Sequence, residues 1–180
     1  MTKAVKVGLI GLGTVGSGTF NVLKRNKAEI ERRAGFPIEV VHVGARRNLA
    51  ECDLSDIQVS SDIFAVIEDP SVDIVVELIG GTTVAKELIL RAIDNGKHIV
   101  TANKALIAEF GNLIFEKAKQ KGVQVAFEAS VAGGIPILKT IREGLVANHI
   151  VSLAGIINGT TNYILTQMEQ NQKGFSEVLL

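Results

Sequence analysis

The sequence has no tryptophan, one tyrosine, one cysteine and three histidines in 180 residues. With seven phenylalanines the aromatic total is eight, too few for stacking on single-stranded nucleic acid to be the main activity. Nineteen basic and nineteen acidic side chains cancel, and no run of like charge is long, so electrostatic capture of DNA, RNA or an anionic membrane is not expected. The lone Cys52 excludes an internal disulfide and any multi-cysteine zinc site, fits a reducing compartment and reads as an inert thiol. His42, His98 and His149 share no metal-ligand spacing and read as structural or surface residues. No stretch suits a bilayer. Gly144 to Met168 carries no formal charge, but Asn148, His149, Asn158, Thr160, Thr161 and Asn162 interrupt it. The start faintly mimics a signal peptide, yet glycines at 8, 11, 13, 16 and 18 would ruin its apolar helix. A soluble, cytoplasmic protein without nucleic-acid or membrane partners is the expectation.

What is present is a globular composition, 47% hydrophobic and 21% charged, with 18 glycines that cluster. Val5–Ile10 is an apolar β-rich run closed by glycine, which predicts a buried strand. Helical spacing follows over Thr14–Ala34, stopped by Gly35-Phe36-Pro37. Ile38–Ala45 predicts a second strand, Asp62–Glu68 a short helix, Asp73–Ile79 a third strand and Val84–Asp94 a helix. Lys97–Thr101 predicts a fourth strand, Leu113–Lys121 lies on a helix, and Val123–Phe127 predicts a fifth strand. Strand and helix in alternation mean βαβ units: an α/β, Rossmann-type doubly wound parallel sheet over residues 1–128. The pattern then changes. Ala129–Pro136 is a glycine-bearing loop, Ile137–Leu145 predicts a helix, Ile150–Ile157 a strand and Thr161–Gln170 a helix. Residues 129–180 thus read as the beginning of a second, α+β domain, too small to close, so the sequence looks cut.

Gly11-Leu12-Gly13-Thr14-Val15-Gly16 places G-x-G-x-x-G between a predicted strand and a predicted helix, the context that gives the pattern its meaning. Gly11 allows the tight turn, Gly13 lets backbone approach a pyrophosphate, and Gly16 lets the helix pack on the strand. Phosphates would meet the helix N-terminus near Thr14 and Val15. A turn that merely joins strand to helix is the alternative. The second strand ends in Ala45-Arg46-Arg47, with its only acid, Glu39, at the other end. A carboxylate at the carboxyl end would select NAD; guanidinium groups there suit a 2′-phosphate, so NADP(H) is expected over NAD(H). Two solvated loop arginines are the other reading.

Several stretches together resemble homoserine dehydrogenase, over nearly the whole chain. They are Gly8-Leu-Ile-Gly-Leu-Gly-Thr-Val-Gly16, Glu77-Leu-Ile-Gly-Gly81, Thr101-Ala-Asn-Lys-Ala105, Glu128-Ala-Ser-Val-Ala-Gly-Gly-Ile-Pro-Ile137 and Gly155-Ile-Ile-Asn-Gly-Thr-Thr-Asn-Tyr163. The resemblance implies NAD(P)-dependent interconversion of L-homoserine and L-aspartate 4-semialdehyde, a step toward threonine and methionine. It implies that 129–180 opens a substrate and dimerisation domain, and that the protein is a homodimer or higher homo-oligomer. Lys104 follows a strand and should stand on the ligand edge of the sheet, where an ammonium could hold a carboxylate, polarise a carbonyl or move a proton. By resemblance Lys104 reaches the nicotinamide and substrate as a catalytic and cofactor-binding residue; otherwise it is an exposed lysine capping a turn. Glu128 with loop carbonyls makes a hard-cation donor set of low charge, and by resemblance Glu128, Val131, Gly133 and Ile135 bind a monovalent cation, Na+ or K+. Asn158-Gly159-Thr160 matches a glycosylation sequon but reads as a helix-capping turn. The family's chain continues further and carries the acids and lysine assigned to catalysis, so these residues alone are expected to be inactive. Another dehydrogenase of the same nucleotide fold, or a non-catalytic NAD(P) sensor, are the competing readings.

Overall fold

The computed structural model describes residues 3–46 and 52–179. They form two compact units, Met1–Leu138 and Lys139–Leu180. In the first, six parallel strands stand in the order β3-β2-β1-β4-β5-β6: β1 Val5–Ile10, β2 Ile38–Gly44, β3 Gln58–Ser60, β4 Ile74–Glu77, β5 His98–Thr101 and β6 Val125–Ala126. The chain winds outward from β1 to β3, then returns to start a second half at β4. The order reverses between β1 and β4, where an open α/β sheet has its ligand crevice. This is the doubly wound sheet that the alternation of strand and helix predicts.

Helices α1 Thr14–Arg25, α2 Lys27–Ala34, α3 Phe64–Glu68, α4 Thr83–Asp94 and α5 Lys104–Lys121 flank the sheet. On α4 the fully buried residues are Ala85, Leu88, Ile89, Ala92 and Ile93, the spacing of one helix face. Each buried Leu or Ile contributes about 1.5–3 kcal/mol. These side chains join Ile10, Val75, Ile99, Leu106 and Ile114 in the larger core. A smaller core, with Leu9, Leu12, Phe20 and Val43, lies under α1. The single helix expected over Thr14–Ala34 is two. Asn26 bonds through its amide to Val22 O and through its carbonyl to Ile30 N, so it closes α1 and opens α2 within a polar stretch that no core face holds straight.

Register aligns the carboxyl ends of the strands. Ile10 faces Gly44 on one side and Glu77 on the other, and Glu77 faces Thr101. That row carries the site. β3 was not foreseen, because three half-exposed residues carry no periodicity and the strand exists by pairing His42–Gly44 with Gln58–Ser60. The buried His42 ring fastens this edge: Nε2 lies 2.8 Å from Ser60 Oγ and Nδ1 2.9 Å from Asp69 Oδ2. Burial pushes the Asp69 carboxyl up, but the Ser71 hydroxyl and amide and the His42 ring outweigh it, leaving it below the usual aspartate value. A carboxyl depressed in the folded state adds stability above the unfolded value, and that contribution fades as pH falls through the folded one. Asp69→Asn should therefore lower the melting temperature near neutral pH, and the gap to the wild type should close in acid below about pH 4. A gap that persists unchanged to lower pH would contradict this.

α6 Ile137–Lys139, whose last residue opens the second unit, runs into a π turn, Thr140–Gly144, and that unit continues with α7 Gly159–Asn171 and α8 Phe175–Leu179. The strand expected over Ile150–Ile157 does not form. Its residues, mostly apolar, are exposed, Val151 at 88% and Ile157 at 90%. A β-rich run becomes a strand only by pairing its backbone groups, and no described segment pairs with it. No helix among the described residues is long and apolar enough to cross a membrane.

Candidate functional site

β1 ends at Ile10, and Gly11 turns the chain with φ +97°, a conformation that L side chains rarely adopt. Its amide donates to Gly44 O at 2.8 Å, tying the turn to β2. Gly13 is the N-cap of α1 and supplies no side chain to the first helical amides. A Cβ on Gly13 would meet no protein atom within 4 Å, whereas one on Gly16 would lie 1.8 Å from Gly11 O. The motif thus divides the labour as its spacing suggests: Gly16 lets α1 approach the turn, and Gly13 leaves the helix end open to solvent. Thr14 and Val15 are exposed at that end. A helix N-terminus of this kind, with free amides and the positive end of the dipole, suits an anion.

In front of this turn lies a cleft of about 630 Å³, lined among others by Gly11, Gly13, Ala45, Arg46, Ile79 and Gly80. Its size falls in the range of small-molecule sites. Arg46 is exposed at its rim. Arg47, the second arginine of the cofactor reading, lies outside the described residues. Among the described residues no acid occupies the carboxyl end of β2: Glu39 sits near the start of the strand, with Lys27 Nζ 3.2 Å from its Oε1.

Behind the far wall, which Leu78, Ile79 and Gly80 line, lie groups that local pattern alone could not assign. Glu77, the last residue of β4, is fully buried. Its Oε1 accepts from the amides of Ile79 and Gly80 at 2.9 and 3.2 Å, and its Oε2 accepts from the Thr101 hydroxyl at 2.6 Å. Thr101 Oγ1 accepts in turn from the Asn103 amide at 3.0 Å. Asn103 donates from Nδ2 to Gly81 O at 2.6 Å, while its Oδ1 accepts from Leu106 N at 3.1 Å and caps α5. A Glu ending an apolar strand ahead of two glycines was the available signal. Lys104 follows as the first residue of α5, exposed on the carboxyl edge, and among the described residues its ammonium joins no ion pair. A cation gains nothing from a helix N-terminus, so helix stability does not explain it.

The strand expected over Val123–Phe127 is only Val125–Ala126, and Glu128 opens a 3-10 turn ending at Ser130. Its Oε1 accepts from Leu138 N at 2.9 Å, and Ser130 Oγ donates to Thr101 O at 2.9 Å. Val131 is half-buried, while Gly133 and Ile135 are exposed. Between them the backbone turns through positive φ at Ala132 (49°) and Gly134 (83°). The Ile135 carbonyl already accepts from Ile137 N at 2.8 Å, leaving one lone pair. One carboxylate with turn carbonyls remains a hard-oxygen set suited to a cation of low charge. Among the described residues no cluster of three His, Cys, Asp or Glu could hold a metal.

Residues 11–128 match the family model described as homoserine dehydrogenase, NAD binding domain, and residues 136–180 match the one described as homoserine dehydrogenase. A homoserine dehydrogenase of Pseudomonas aeruginosa is 62% identical over 177 residues, covering 98% of this chain and 41% of that protein. The crystal structure of a homoserine dehydrogenase from Thiobacillus denitrificans superposes with a TM-score of 0.88 at 56% identity, covering 98% of this chain and 41% of that one. A hyperthermophilic archaeal homoserine dehydrogenase in complex with NADPH shares the fold, with a TM-score of 0.76 at 23% identity over 98% of this chain and 60% of its own. The chain spans about 41% of the length of the Pseudomonas relative.

Proposed function

The chain belongs to the homoserine dehydrogenase family, and from that we propose that it carries the dinucleotide-binding part of an enzyme that interconverts L-homoserine and L-aspartate 4-semialdehyde. The observation that supports this most is the open N-terminus of α1 over Gly13, facing a cleft at the sheet's switch point. Family models match on both sides of residue 130, which favours the enzyme over a sensor module or another dehydrogenase. In functional terms residues 1–128 bind the nucleotide and 129–180 open the substrate and dimerisation domain of a cytoplasmic homo-oligomer that serves threonine and methionine synthesis.

Gly11, Gly13, Thr14, Val15 and Gly16 hold the pyrophosphate by backbone amides, and Ala45, Arg46 and Arg47 receive the adenosine ribose. NADPH, when bound, supplies the hydride that reduces the semialdehyde. The residues of this chain supply position and charge. Lys104 offers an ammonium to the carboxylate or carbonyl oxygen of the substrate and to the nicotinamide side of the cofactor. Glu128, with the carbonyls of Val131, Gly133 and Ile135, holds Na+ or K+ and stiffens the turn between the two functional parts.

Preference for NADP(H) rests on the arginines. Arg46→Ala together with Arg47→Ala should weaken NADPH binding about tenfold or more, the worth of one charge-assisted bond of about 1.5–3 kcal/mol, with little effect on NADH. Calorimetric titration with each nucleotide reads it, and equal losses for both would refute it. The cation reading has its own check. Sodium or potassium chloride should raise the melting temperature, saturably, above that in choline chloride, because binding to the folded state alone stabilises by mass action. Glu128→Gln should remove the difference, and an identical response to choline would show salt screening alone.

A further inference from the structure

We infer that Glu77 and Thr101 are positioning residues, which with Asn103 fasten the nicotinamide-side wall of the cleft and the Lys104 end of α5 into one rigid piece. This rests on the dinucleotide reading above. Taking a carboxylate out of water is costly unless its oxygens are satisfied, and Glu77 is fully buried with three donors on two oxygens. Packing does not require a glutamate there, since its strand neighbours Val75 and Val76 fill the same sheet with aliphatic side chains. What the carboxylate holds is the turn after β4. Gly80 and Gly81 both have positive φ, +70° and +72°, and a Cβ on either would meet nothing within 4 Å. These glycines therefore serve the path of the backbone, not a close contact. Glu77 clamps the front of that path at Ile79 and Gly80, and Asn103 clamps its back at Gly81 O.

The clamp sits on the side that matters for the reacting end. The adenosine half of a dinucleotide goes toward the β2 end, at Ala45 and Arg46, with the pyrophosphate over α1. The other half must then run toward β4 and β5, where Leu78, Ile79 and Gly80 line the cleft and Lys104 begins α5. The Thr101 hydroxyl links the two clamps, donating to Glu77 and accepting from Asn103, and the Thr101 carbonyl receives Ser130 Oγ. A wall and the helix end from which the cationic side chain projects, tied to one hydrogen-bonded network, keep their separation, as a preformed site requires.

The test separates the two halves of the ligand. NADPH spans the cleft, whereas adenosine 2′,5′-bisphosphate occupies the β2 side alone. Thr101→Val keeps the branched shape, removes the hydroxyl and leaves Glu77 Oε2 and the Asn103 amide unpaired, a disruption worth about tenfold in NADPH affinity. Thr101→Ser keeps the hydroxyl and should restore wild-type affinity. Glu77→Gln leaves one acceptor oxygen where two are used, so either the Thr101 hydroxyl or the Ile79 and Gly80 amides lose their acceptor, and it should behave like Thr101→Val. For every variant the bisphosphate should bind as it does to the wild type, and this control also reports folding. NADPH affinity unchanged in Thr101→Val and Glu77→Gln would overturn the inference, as would parallel losses of both ligands or a failure of Thr101→Ser to rescue. A wild-type chain that binds neither ligand would sink the dinucleotide reading, and the inference with it.

Discussion

Gly16→Ala should weaken dinucleotide binding about 100-fold or more and destabilise the chain severely, whereas Gly13→Ala should spare the fold and weaken binding alone. The added Cβ at residue 16 would lie 1.8 Å from the Gly11 carbonyl oxygen and 2.8 Å from its carbon. Those atoms are backbone, and Gly11 is itself fixed by its bond to Gly44 and by Leu78 and Ile79 behind it. Relief requires α1 to retreat from β1, which loosens Phe20 from the core under that helix. Overpacking ordinarily costs about 1–3 kcal/mol, and a clash with unyielding backbone should reach or exceed the top of that range. Retreat also withdraws the amides that meet the pyrophosphate. Losing two charge-assisted bonds of about 1.5–3 kcal/mol each lowers NADPH affinity on the order of 100-fold or more. At Gly13 the φ is −71° and the added methyl meets no protein atom. Its melting temperature should therefore stay close to the wild type, because exchanging one weak cap for a poorer one costs about 1 kcal/mol at most. The methyl instead occupies the face over which the phosphates approach. Thermal melts and calorimetric titration of both variants separate these effects. Wild-type affinity in a folded Gly13→Ala would show that no phosphate passes there.

The two glycines also mark what was legible in the sequence. Alternating apolar runs and helical spacings announce a parallel sheet because each βαβ unit has one favoured hand and buries its strand on both faces, as Val75 and Ile99 illustrate. A glycine motif between strand and helix carries its geometry locally, so Gly11, Gly13 and Gly16 could each be given a task. β3 could not be read, because its three residues become a strand through partners some 16 positions earlier, as His42 opposite Gln58 shows. The reverse holds at Ile150–Ile157, where the pattern favours a strand and the described residues supply no partner. Glu77, Thr101 and Asn103 are separated by 24 and 2 positions and meet only because register sets Glu77 opposite Thr101. Networks of that kind are properties of topology, and the letters disclose them only after the strand order is known.

A polypeptide of these 180 residues should bind NADPH yet reduce L-aspartate 4-semialdehyde far more slowly than the Pseudomonas aeruginosa relative, of which it spans 41%. The nucleotide side has its parts: the open helix end at Gly13, the rim at Arg46 and the clamped wall at Gly80. Chemistry asks for more. Donor and acceptor carbons must be held together in a site from which water is excluded, and a placed proton donor alone commonly contributes about 10²–10⁴-fold. A unit that shields a reaction from water must first bury residues of its own. Among the described residues from Lys139 onward none is buried, and Val151, Leu153, Ile156 and Ile157 stand between 64% and 90% exposed. Apolar surface of that kind neither packs a substrate nor stays monomeric at high concentration, so self-association should accompany the low activity. Following NADPH oxidation at matched concentrations of the two proteins decides the matter, with light scattering to record association. A deficit of about 100-fold or more is expected, the lower end of what a single missing proton donor removes. Rates within a few-fold of each other would mean that Lys104 and the groups around it suffice for the reaction, and that the exposed second unit is no obstacle to it.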